Sequence, residues 1–89
     1  MEIEDVKQLI GMIMEETEGI EQYRKCAMKW ERTLPEASKM FMTMADQEKH
    51  HGVMLLDLIK NVRAKEPDST KQIIMDFVID LSTEQLNKY

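Results

Sequence analysis

Glu48-Lys49-His50-His51 is a Glu-x-x-His. On an α-helix that spacing turns a carboxylate and an imidazole to one face, one turn apart, where they can share a metal ion. A second glutamate, Glu16, has the same kind of setting in an earlier helix-periodic segment. At about 100° per residue with Glu16 at zero, Leu9 and Ala27 fall at about +20°, Ile20 at about +40°, Tyr23 at about −20°, and Met12 and Trp30 at about −40°. With Glu48 at zero, Phe41 and Ile59 fall at about +20°, Leu55 and Ala37 at about −20°, Met44 and Val62 at about −40°, and His51 at about −60°. Both glutamates are therefore expected in the middle of an apolar stripe, where an unpaired carboxylate costs on the order of several kcal/mol. An inter-helix salt bridge or a wet groove would relieve that cost, but no lysine or arginine sits central to either stripe at these levels, with Arg24 reaching only from the margin. A bound cation is the better counter-charge.

The elements that must carry these groups follow from sparse punctuation. Pro35 and Pro67 each end or open a helix. The expected helices are about 3–32, about 35–65, and a third from about 69 onward, with Ser82-Thr83-Glu84-Gln85 reading as a capping box for a separate last turn. The first helix has its stripe at Ile3, Val6, Leu9, Ile10, Ile13, Ile20, Tyr23, Ala27 and Trp30, the second at Ala37, Phe41, Met44, Ala45, Leu55, Ile59 and Val62, and the tail at Ile73, Ile74, Phe77, Val78 and Leu81. The fold class is all-α: a helical hairpin over 1–66 and a C-terminal helical segment over 67–89 that covers the bundle or makes an oligomer contact. One hairpin cannot enclose a core alone, and two face to face make a four-helix bundle. Metal arithmetic demands the same pairing. A carboxylate-bridged pair of metals takes one Glu from each of two helices and Glu-x-x-His from each of two others. One chain has one helix of each kind, so two chains complete the six ligands. Mixed carboxylate and imidazole ligation suits iron, with manganese or zinc as substitutes.

With Met14-Glu15-Glu16-Thr17-Glu18-Gly19-Ile20-Glu21-Gln22-Tyr23 on one helix and Ala45-Asp46-Gln47-Glu48-Lys49-His50-His51 on the next, the chain resembles the ferritin-like superfamily, most closely the encapsulated ferritins. The resemblance implies Glu16, Glu48 and His51 as iron ligands of a di-iron ferroxidase centre at a homodimer interface. It makes Tyr23 a tyrosine that supports the ligands, and Glu15 and Glu18 a patch where metal arrives. It names an encapsulin shell as a partner and the interior of such a nanocompartment, in the cytoplasm, as the location. The family's encapsulation peptide has no evident counterpart after Leu86-Asn87-Lys88-Tyr89. A rubrerythrin-like peroxidase is the alternative, though a Cys-rich rubredoxin site and two further ligand helices are missing from this sequence. A non-catalytic helical interaction module, with the inner Glu and His as a polar specificity device, is the rival from another class.

Other residues have blander readings beside these. Tyr23 can be a core tyrosine, and Glu15, Glu18 and Glu21 a solvated face. His50 points away from the Glu48 face. Gly52 either leaves room at the site or admits a close helix, Gly11 and Gly19 serve packing or local flexibility, and Cys26 packs. Composition excludes whole classes. Three glycines and two prolines supply too few turns for an all-β fold. One cysteine rules out a disulfide scaffold or Cys-rich zinc knuckle and fits a reducing compartment. A net charge of −5, with seven acids against Lys7 in residues 1–21, argues against nucleic acid and suits a cation-facing surface. No apolar run reaches membrane-spanning length, and the acidic Met1-Glu2-Ile3-Glu4-Asp5 has no secretory apolar core. The nine methionines suit an adaptable helical interface.

Overall fold

A computed structural model describes all 89 residues as three helices and no strand: α1 (Ile3–Trp30), α2 (Pro35–Lys65) and α3 (Ser69–Leu86). α1 opens where the Asp5 carboxylate accepts the Glu2 backbone N–H at 3.0 Å. It closes earlier than residue 32, because the chain must reverse before Pro35. Residues 31–33 form a turn, and Leu34, at φ −139° and ψ 70°, is held out of the helical region by the proline ring that follows it. Pro35 then starts α2, where its missing N–H is of no consequence. Ser38 Oγ donates to the Ala27 carbonyl at 2.6 Å and braces this end of the hairpin.

Heptad spacing joins α1 to α2. Val6, Ile13, Ile20 and Ala27 are each at most 2% exposed, and so are Ala45 and Ile59 across from them. Residues seven apart keep facing the same partner along two antiparallel helices. The link to α3 is built from local hydrogen bonds. Asp68 accepts the Thr70 and Lys71 N–H groups at 2.9 and 3.0 Å, Gln72 Nε2 donates to the Glu66 carbonyl at 2.6 Å, and Arg63 grips Asp76 through two bonds of 2.7 and 3.2 Å.

α3 lies along the hairpin, where Met75 and Val78 join Val6, Ile13 and Ile59 in the core. Its inward face is not the expected one. Met75, Val78, Ser82 and Leu86 are buried, whereas Ile73 and Phe77 are 69% and 68% exposed. Apolar residues cover more than half of this helix's circumference, so periodicity alone does not select the buried arc. The expected capping box at Ser82 is absent as well. α3 runs through it unbroken, with Ser82 inside the contact and Thr83 Oγ1 donating to the Ile79 carbonyl at 2.7 Å. The result is a long slab of 54 × 19 × 15 Å, in which 13 of 89 residues are buried.

Candidate metal centre

The hairpin register sets Glu16 of α1 beside Glu48 and His51 of α2. One donor atom from each lies within 4.8 Å of the other two. His51 Nδ1 stands 3.6 Å from Glu16 Oε2, too far for a hydrogen bond, and that oxygen is buried with no hydrogen-bond partner. An orphaned buried acceptor of this kind is uncommon, and a cation would satisfy it. Burial, and next the nearby Glu48 carboxylate, hold the Glu16 carboxyl above its ordinary range, while His51 works in the opposite sense. Without a cation, the site is thus short of positive charge.

The site does not lie at the centre of the buried seam. The lines that pack inside the chain are Val6–Ile13–Thr17–Ile20–Ala27 and Ala45–Gly52–Leu56–Ile59. Glu16 and Glu48 border them, half-buried, and the side chain of His51 is 54% exposed. The stripes read from sequence merge two arcs: one closes on α2 and α3, the other opens to solvent. On the open arc lie Glu16, Tyr23 and Trp30 from α1, with Phe41, Met44, Glu48 and His51 from α2, half-buried apart from the exposed His51, while Leu9, Leu55 and Val62 are half-buried against the core cluster.

The remaining site candidates are distributed unevenly. Tyr23, one heptad from Glu16, stacks on Phe41, one heptad from Glu48, with centroids 6.1 Å apart. Trp30 also stacks on Phe41, with centroids 5.4 Å apart. Glu15 and Glu18 are exposed, and Glu18 lines a groove of about 290 Å³ between α1 and α3 with Glu21, Ser82 and Tyr89. His50 is exposed. Arg24 is committed elsewhere. It donates to the Tyr89 backbone oxygen at 2.7 Å, with its guanidinium 5.4 Å from the centroid of that ring.

The glycines sort differently from the sequence reading. Gly52, read as leaving room at the site or admitting a helix, does the second: a Cβ there would meet Leu86 Cδ2 at 2.7 Å. Gly19, read only as packing or flexibility, is the one beside the carboxylate cluster, and a Cβ on it would meet Glu48 Oε2 at 2.9 Å. Its sole sequence signal was a helix-interior glycine one turn after Glu16.

Two carboxylates and an imidazole, an oxygen without a partner and a cradle that a side chain would fill together fit a divalent cation of the iron or manganese kind. No helix is long and apolar enough to cross a membrane. The sequence model of one family, described as rubrerythrin, matches residues 9–87, which takes in most of α1 and all of α2 and α3. No curated protein and no solved structure matches the chain.

Proposed function

The chain belongs to the rubrerythrin family, among the ferritin-like proteins, and from that premise we propose that it is a ferroxidase with a di-iron centre completed by two copies of itself, in the manner of encapsulated ferritins. The observation that carries this reading is the meeting of Glu16, Glu48 and His51 donor atoms within 4.8 Å around a buried oxygen that lacks a partner. Each chain offers half of a six-ligand set, and two copies apposed through the open arc offer all of it. Fe(II) is the substrate: each ion gives up one electron, two per pair, to dioxygen or hydrogen peroxide, and Fe(III) is passed on for storage or detoxification.

The residues have distinct tasks. The Glu16 and Glu48 carboxylates supply negative charge that favours the higher oxidation state, and they do so in a half-buried site where charge is weakly screened. His51 ligates as the neutral imidazole. Tyr23 stands on the same arc, one heptad away, to support the ligands. Glu15 and Glu18 draw cations to the surface of α1, and manganese or zinc can replace iron. The 67–89 segment, with Ile73 and Phe77 outward, gives a contact for a higher even oligomer. A chain this small encloses no mineral, so storage requires such an assembly or an encapsulin shell around it in the cytoplasm.

The family match favours a second reading, in which peroxide is the physiological oxidant. Stopped-flow oxidation of Fe(II) by O₂ and by H₂O₂ separates the two. In either case, Glu48→Ala should slow oxidation by more than the roughly 10–100-fold that outer partners of metal ligands are worth, with helicity retained. Wild-type rates in that variant would move the centre elsewhere. A purified protein free of bound metal would favour the interaction module.

A further inference from the structure

All three glycines lie inside helices, and none has a positive φ, so backbone conformation requires none of them. Each still weakens its helix relative to alanine. A Cβ on Gly11 would have no atom within 4 Å, and Gly52 admits Leu86 of α3. Gly19 is closest to the outer part of one side chain: its Cβ would stand 2.9 Å from Glu48 Oε2 and 3.3 Å from Glu48 Cδ and Cγ. We propose that Gly19 is a positioning residue of the metal centre, its missing side chain being the space that the Glu48 carboxylate occupies as it faces Glu16 and His51. The proposal rests on the reading of these three residues as a metal site.

The contact has a consequence that an ordinary packing glycine would not. The three atoms nearest a Cβ at 19 are side-chain atoms of Glu48, the end of a flexible chain that can swing away, and none is backbone. The hairpin therefore accommodates the substitution and the ligand geometry does not. Helix stability and metal affinity should move in opposite directions, whereas a glycine kept for helix packing alone would move both the same way.

The test is Co(II) titration of the full, metal-free chain, followed by d–d absorption, together with thermal melting without metal. Gly19→Ala is expected to melt no lower than wild type while binding Co(II) several-fold more weakly. Gly19→Leu, which fills the space, should weaken binding by at least about tenfold and alter the d–d bands. Gly11→Leu, on an open surface, should leave affinity and spectrum unchanged. Wild-type affinity and bands in Gly19→Ala and Gly19→Leu would overturn the proposal while leaving the metal site intact. If Gly19→Leu loses helicity, the alanine variant decides alone. Failure of wild type to bind Co(II), or binding that survives Glu48→Ala, would overturn the metal reading and this one with it.

Discussion

Glu16 is the residue at which the metal-free chain is least comfortable. Burial and Glu48 raise its folded pKa above the ordinary 4.5. An acid whose folded pKa is raised contributes stability that is fully present below the unfolded value and lost as pH rises through the folded one. At neutral pH, ionised Glu16 therefore costs stability when no cation is bound. Glu16→Gln keeps the shape and removes the charge. Without metal, its melting temperature should match wild type near pH 4 and exceed it increasingly as pH rises toward 7, while its metal binding is lost. A gap between the two proteins that does not change across that range would mean that the Glu16 environment is not the one described. A bound divalent cation reverses the preference, because it favours the ionised carboxylate.

At the scale of the elements, the hairpin seam and the α3 contact differ in what they tolerate. Ile59 is 0% exposed and belongs to the core cluster that draws on all three helices. Ile59→Val should cost about 0.5–1.5 kcal/mol and Ile59→Ala about 2–5 kcal/mol, through lost burial and the cavity left behind. Phe77 is equally apolar but 68% exposed on the outside of α3, so Phe77→Ser should stay within about 0.5 kcal/mol in the isolated chain. Urea unfolding of the three variants checks both statements. A large cost at Phe77 would show that a second subunit covers it. The helix ends were legible beforehand because their causes are local. Pro35 and Pro67 act within a few residues, whereas the inward arc of α3 depends on Val6, Ile13 and Ile59, which are distant in sequence.

The whole molecule has too little inside it. A radius of gyration of 15.8 Å compares with about 12 Å for a compact domain of this length, and the open arc carries half-buried apolar side chains together with Glu16, Glu48 and His51. The expected assembly is an even-numbered oligomer whose unit is a four-helix dimer, and a stable folded monomer at micromolar concentration in sedimentation would contradict it. Metal that binds only the dimer stabilises it by about 2.7 kcal/mol at a hundredfold excess over Kd. Fe(II), or Mn(II) as a slower-oxidising mimic, should raise the melting temperature and shift monomer to dimer at neutral pH. It should do much less below about pH 5, where protons compete for the ligands. An equal metal-induced shift in His51→Ala and wild type would exclude His51 as a ligand.

Three helices and the breaks at the two prolines were legible in the sequence, as was the grouping of Glu16, Glu48 and His51, whose donor atoms meet. Helix periodicity and a one-turn ligand spacing are properties of a single helix, and the antiparallel hairpin then leaves little freedom in register. Only packing decided that the trio borders the buried seam, that Arg24 turns to Tyr89, that Ser82 lies inside α3, and that Gly19 rather than Gly52 faces Glu48. Each of these depends on which arc of a helix meets another element. A sequence with apolar residues over more than half of a helical wheel leaves that arc undetermined until the helices pack.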